Sequence, residues 1–184
     1  MLQLIPFNCL IFTNDELEDF DCEHKEINEY FKNEALKKDS SNTAKTFVLR
    51  DNKNIVGFYT LTVGSLDVGN LETKTLIKQP IINLAYFAID KKYQRKGYGI
   101  EAVKLILDYG FSFLNLRNIS LSVFEYNEAA YNLYKKAGFK EAGRLRKAVE
   151  IMGKTYDVII MDILKEEFQS VYIKRELEKR YNLK

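Results

Sequence analysis

Tryptophan is absent from these 184 residues, proline and cysteine occur twice each, and histidine once. So few prolines in a chain that is 46% hydrophobic and 13% aromatic argue against disordered and fibrous classes. Cys9 and Cys22 stand far from any metal-ligand spacing, so they read as free thiols of a reducing compartment. No run of about 18 apolar residues occurs. The N-terminal stretch MLQLIPFNCLIFTNDELEDF has neither a charged start nor a small-residue cleavage site. His24 lies in a helical region with no partner in view and is a poor candidate for a catalytic base. An excess of one charge is missing too: 28 basic against 26 acidic residues do not make a surface built throughout for nucleic acid. No repeat, low-complexity tract or Pro/Gly/Ser linker divides the chain. These absences leave a cytoplasmic α/β enzyme or binding protein, one domain over residues 1–184 with 164–184 as a helical extension.

What is present has a readable order. HKEINEYFKNEALKK places Ile27, Tyr30, Phe31, Ala35 and Leu36 near one helical face, and KDSSNT ends it. KTFVLRDNKNIVGFYTLTVGSL predicts two strands joined across Asp51-Asn52-Lys53-Asn54. After a polar stretch, PIINLAYFAI predicts a strand buried on both faces, ending at Asp90. From Tyr98, apolar residues at 100, 103, 107, 111 and 114 predict an amphipathic helix, and ISLSV a short strand. Asn127 is placed as the N-cap of EAAYNLYKKA, with Gly138 as its stop. A hairpin turning at Met152-Gly153-Lys154 and a charged helical segment complete the chain.

Between the buried strand and its helix lies KKYQRKGYG, residues 91–99, which crowds Lys91, Lys92, Arg95 and Lys96 around Gly97 and Gly99. A helix start offers unpaired N–H groups and the positive end of a dipole, and glycine lets an anion approach the backbone. Phosphate or diphosphate is the natural guest of this strand-turn-helix arrangement. A dinucleotide fold fits poorly, because Ile89 is far from Gly97 and no acid stands about 20 residues further on. AVEIMGKT imitates a phosphate loop, yet β-like TYDVIIMDIL comes after it where a helix is required.

YQRKGYG after a buried strand resembles motif A of the GNAT superfamily of N-acetyltransferases, Q/R-x-x-G-x-G/A, at Gln94, Gly97 and Gly99. NEAAYNLYKKAGF resembles the family's motif B, with Asn127, Ala130, Leu133, Tyr134, Gly138 and Phe139 in their usual places. The likeness covers residues 45 to 163 well and implies a mostly antiparallel sheet flanked by helices, parted between strands 81–89 and 119–123. It implies acetyl-CoA as cosubstrate, no metal, and direct acetyl transfer to an amine. Gln94, Arg95, Lys96, Gly97, Tyr98 and Gly99 would hold the diphosphate, and Phe87, Ala88 and Ile89 would offer backbone to the pantetheine arm. Asn127 and Tyr134 would lie along the cofactor, with Tyr134 the general acid. A carboxylate that many relatives carry before motif A is missing here. Glu125 is the nearest candidate base, with a water relay or an already neutral amine as the alternative.

The acceptor stays open between a small-molecule amine, a protein N-terminus and aminoacyl-tRNA. FDCEHKEINEYFKNEA with the strands after it is similar to GNAT-type toxins that acetylate aminoacyl-tRNA. GRLRKAVEIMGKTYDVIIMDILKEEF resembles acetyltransferases acting on polyamines or protein N-termini. For tRNA, Lys135, Lys136, Lys140, Arg144, Arg146 and Lys147 would form a basic face. A non-catalytic CoA-binding module is the rival class. Leu164, Phe168, Val171, Tyr172 and Leu177 would either dock on another subunit, as in a homodimer, or pack on their own domain.

Overall fold

The computed structural model of the chain describes residues 2–7, 14–70 and 74–168. Cys9 and the expected C-terminal helix beyond Phe168 lie outside the described residues. Two compact units are divided between Ala102 and Val103.

The first unit contains β1 (Leu2–Pro6), α1 (Asn14–Glu18), α2 (Lys25–Glu29), α3 (Ala35–Ser40), β2 (Lys45–Asp51), β3 (Asn54–Asn70) and β4 (Thr75–Ile89). Its strands pair antiparallel in chain order, β1 with β2, β2 with β3 and β3 with β4. The Asp51–Asn54 turn forms as read, with Asn52 at φ 55. Alternating apolar residues on β2 and β3 bury Val48 and Phe58 against the helices. Phe31 stacks on Phe58 at 4.2 Å and meets Phe20 edge-on at 4.8 Å. Each such aromatic pair adds about 0.5 to 1.5 kcal/mol beyond its buried area.

A π turn over Tyr30–Glu34 joins α2 to α3, with the Ala35 N–H donating to the Tyr30 carbonyl. The wider turn shifts the helical phase of the residues after it. Tyr30, Phe31 and Ala35 are buried as expected, but Leu36 is 51% exposed. Two further expectations change on the sheet. The stretch read as polar belongs to a long ladder, since β3 and β4 pair from Gly57 with Ile89 out to Asn70 with Thr75. β4 is also not buried on both faces. Ile82, Leu84 and Ala88 are buried, whereas Ala85 is exposed at the register shift opposite Thr60 and Leu61, where β4 carries an extra residue.

Helix α4 (Tyr98–Asp108) contains the division between the units. The second unit continues through a π turn at Tyr109–Phe113 to β5 (Asn118–Phe124), α5 (Glu128–Ala137), β6 (Lys140–Ile151) and β7 (Lys154–Leu164). β7 pairs antiparallel with both β5 and β6. Ile119, Leu121, Ile159, Met161 and Ile163 fill its core. The π turn leaves Leu114 39% exposed, although its spacing placed it on the apolar face. Past β7, a short 3-10 turn, Lys165–Glu167, leads to Phe168, whose ring meets Phe111 at 5.4 Å. Every strand pairing within either unit is antiparallel, and helices accompany the strands of each, in agreement with the expected fold class.

Candidate active site

β4 delivers its C-terminal end to the glycine turn, and three devices shape the junction. Gly57 lies so close to the strand end that a Cβ there would sit 2.4 Å from the Ala88 carbonyl oxygen. The Asp90 N–H donates to the Val56 carbonyl at 2.8 Å. The buried Asp90 carboxylate accepts the Lys92 N–H at 2.8 Å and the Asp21 N–H at 3.1 Å. Gln94 then folds back, its Nε2 donating to the Ile89 carbonyl at 3.0 Å. A residue expected to contact cofactor therefore closes the turn, and one carbonyl expected to face the pantetheine arm is engaged by it.

The turn ends as an open backbone cradle. Arg95 and Gly97 hold φ of 58° and 89°, and the Gly97 carbonyl accepts the Glu101 N–H at 3.2 Å, which makes Tyr98 the first helical residue. The N–H groups of a helix's first turn have no acceptor inside the helix. A Cβ added to Gly97 would meet nothing within 4 Å, so the space above the turn is free for a ligand. Such a nest of N–H groups beside a helix start suits an anion. These residues fit the diphosphate of a CoA molecule.

The four basic side chains differ in their freedom. Lys91 is tied to Asp21 at 2.7 Å, and that bond holds the Asp21 carboxyl far below the usual carboxylate range. Lys96 lies over the Tyr93 ring at 5.7 Å. Arg95 and Lys92 are exposed. Lys91 is thus less free to meet an anion than its place in the sequence suggests, because Asp21 pairs with it. Tyr98 is anchored as well: its hydroxyl donates to Asp51 Oδ2 at 2.6 Å, which pushes the phenol up and the carboxyl down.

In the second unit, Asn127 caps α5, its Oδ1 accepting the Ala130 N–H at 3.1 Å, and Gly138 closes the helix at φ 107°. Tyr134 is 8% exposed and packs edge-on against Phe139 at 5.7 Å. Burial pushes its hydroxyl well above the ordinary phenol value. Glu125 accepts the Asp157 N–H at 2.8 Å and lies 3.6 Å from Arg144. Arg144 also reaches Glu141 at 3.1 Å and Asp157 at 3.4 Å, so one guanidinium gathers three carboxylates. Asp157 is held low, first by the N–H that Lys147 donates to it. Tyr126 stacks on Phe124 at 5.4 Å, while Tyr131 reaches Glu141 at 3.4 Å. His24 is exposed at the start of α2.

Sequence reasoning missed Asp21, Asp51, Gly57 and Asp90. Asp90 carried a local signal, an acid directly after an apolar strand and before a turn, where its carboxylate can bond the backbone two residues on. The other three act across distant parts of the chain and carried none.

Compared with known proteins, residues 10–139 match the Acetyltransferase (GNAT) family. The chain is 32% identical over 142 residues to the probable N-acetyltransferase YjcK of Bacillus subtilis, a match over 77% of this chain and 71% of that protein. It is 39% identical over 80 residues to spermidine N(1)-acetyltransferase of Escherichia coli, across 44% of this chain and 43% of that one. The chain thus spans about half the length, or less, of the first curated relatives it matches. The structure of spermidine N-acetyltransferase from Vibrio cholerae in complex with CoA and spermine superposes with TM-score 0.62 at 26% identity, covering 90% of this chain and 96% of that one. A mutant of the AtaT toxin shares the fold at TM-score 0.63 and 16% identity, covering 90% and 91%.

Proposed function

The chain belongs to the acetyltransferase (GNAT) family, and from that premise we propose that it transfers the acetyl group of acetyl-CoA to a primary amine of an aliphatic polyamine. The observation that carries the transferase reading is the turn at residues 94–99, open above Gly97 at a helix start. Bound acetyl-CoA supplies an activated thioester. The N–H groups from Arg95 to Gly99 bind its diphosphate, with Arg95 and Lys96 setting the field. An N–H at the end of β4 donates to the carbonyl oxygen as that oxygen gains charge. Tyr134 keeps its proton at working pH and gives it to the departing sulfur. Asn127 serves by capping the helix that carries Tyr134. Glu125 is reassigned: with its carboxylate held by Asp157 and Arg144, it braces the turn, and solvent takes the proton from the amine.

The polyamine reading is favoured by the relatives named for spermidine and by the charges of β6. Of the residues that would make a basic face for tRNA, Arg144 is surrounded by Glu125, Glu141 and Asp157, and Lys140 is paired with Glu167. Those pairings take two of the six cations out of a basic face that a polyanion would need.

The test is CoA release from acetyl-CoA with spermidine, spermine, an N-terminal peptide and aminoacyl-tRNA. We expect kcat/KM for the polyamines to exceed the others at least about tenfold, and Tyr134→Phe to lower kcat about a hundredfold or more. Transfer to aminoacyl-tRNA in preference to polyamine would overturn the acceptor. Tight acetyl-CoA binding without turnover on any acceptor would make the chain a binding module.

A further inference from the structure

A cradle of backbone N–H groups binds an anion well only if its shape is set beforehand, and this one holds a conformation that must be supported from outside. Arg95 at φ 58° has a side chain in a region that favours glycine. Such backbone states are costly and persist where the surroundings impose them. At its strand end the turn is fixed by Asp90 and Gln94. At its helix end the first helical residue, Tyr98, is fixed by Asp51.

We infer that Asp51 is a positioning residue for cofactor binding: it anchors the start of α4 through the Tyr98 hydroxyl and so pre-shapes the diphosphate cradle. This rests on the reading of residues 94–99 as that cradle. Three observations carry it. The Tyr98 to Asp51 bond is short, 2.6 Å, as charge-assisted O–H···O bonds are, and it spans 47 residues of sequence. Asp51 is held in the sheet from both sides, paired with Leu2 on β1 and with Asn54 across the turn to β3. The middle of the cradle leans on the same anchor, because the Tyr93 ring meets the Tyr98 ring edge-on at 5.9 Å and 89°, and Lys96 covers Tyr93. A carboxylate one side chain from a diphosphate site would ordinarily oppose binding. Its engagement by a neutral phenol gives that charge a structural task.

The experiment compares two acetyl donors, acetyl-CoA and S-acetylpantetheine, which lacks the diphosphate. In Asp51→Ala, KM for acetyl-CoA rises about tenfold, the worth of one charge-assisted hydrogen bond, while kcat holds. Its kcat/KM with S-acetylpantetheine matches the unaltered protein. Asp51→Asn, whose side-chain oxygen still accepts from Tyr98, recovers most of the loss. Adding Tyr98→Phe to Asp51→Ala worsens nothing, since both remove the same bond. Should Asp51→Ala fail to fold, Asp51→Asn and Tyr98→Phe carry the comparison, with Tyr98→Phe raising KM several times more than Asp51→Asn. An unchanged KM for acetyl-CoA in the bond-breaking variants, or equal losses with both donors, would overturn the anchor. Gly97→Ala separates the two ideas. If it weakens acetyl-CoA binding while Asp51→Ala does not, the cradle stands and the anchor falls. If the unaltered protein uses both donors equally well, the cradle falls and the anchor with it.

Discussion

Burial of the Tyr134 ring pushes its hydroxyl above the ordinary phenol value near 10, because burial takes a phenolate out of water. The group therefore stays a proton donor at any working pH. The same shift links stability to pH. Where the unfolded chain has released this proton and the folded one has not, the folded state binds more protons, and stability falls as pH rises. The contribution is complete below about pH 10 and is lost above it. Urea denaturation between about pH 9 and about pH 11 should show the midpoint falling more steeply for the unaltered protein than for Tyr134→Phe. Equal slopes would mean that Tyr134 does not carry this linkage. A second residue works by absence of volume: Gly57→Ala would force a Cβ to 2.4 Å from the Ala88 carbonyl oxygen. Parting β3 from the end of β4 should lower stability by about 1 to 3 kcal/mol, read as a lower urea midpoint at unchanged slope.

Elements owe their placement to interactions of different reach. α5 was legible at both ends because its caps are local, Asn127 with Ala130 and Gly138 with the last turn. Asn127→Ala should cost about 1 kcal/mol in denaturation and lower kcat no more than that loss explains. Both predicted turns, at 51–54 and 152–154, were legible for the same reason, since residues suited to positive φ sit between apolar runs. The outer part of the β3–β4 ladder was not. Asp67 stands opposite Lys78 in its register, and such polar residues join a strand through backbone pairing that composition does not report. The π turns were invisible too, because apolar residues four apart look alike whether or not one turn widens. The cradle's glycines and basic residues could be read directly, whereas its supports could not. Asp90 bonds Asp21 across 69 residues, and nothing near either predicts it. The Asp90 carboxylate is the hinge of that support. Asp90→Ala would leave the Asp21 and Lys92 N–H groups without their acceptor, a loss of about 1 to 3 kcal/mol. Hydrogen exchange at those two amides should accelerate in the variant while amides of β6 and β7 keep their protection.

At the scale of the whole chain, basic and acidic residues nearly balance, so recognition depends on how charges are paired locally rather than on a net field. The division into two units falls inside α4, between Ala102 and Val103, and both residues are fully buried members of one helix. Units joined by an exposed linker can melt separately, but a boundary inside a buried helix cannot be crossed without unwinding that helix. We therefore predict one cooperative unfolding transition, with a calorimetric to van't Hoff enthalpy ratio near one. Ligand should move it as a single event. CoA at about 100 times its dissociation constant adds about 2.7 kcal/mol by mass action, and the entire transition should shift upward without splitting. If CoA raised one of two resolved transitions and left the other in place, the chain would be two independently folding bodies, and its reading as one domain would have to be abandoned.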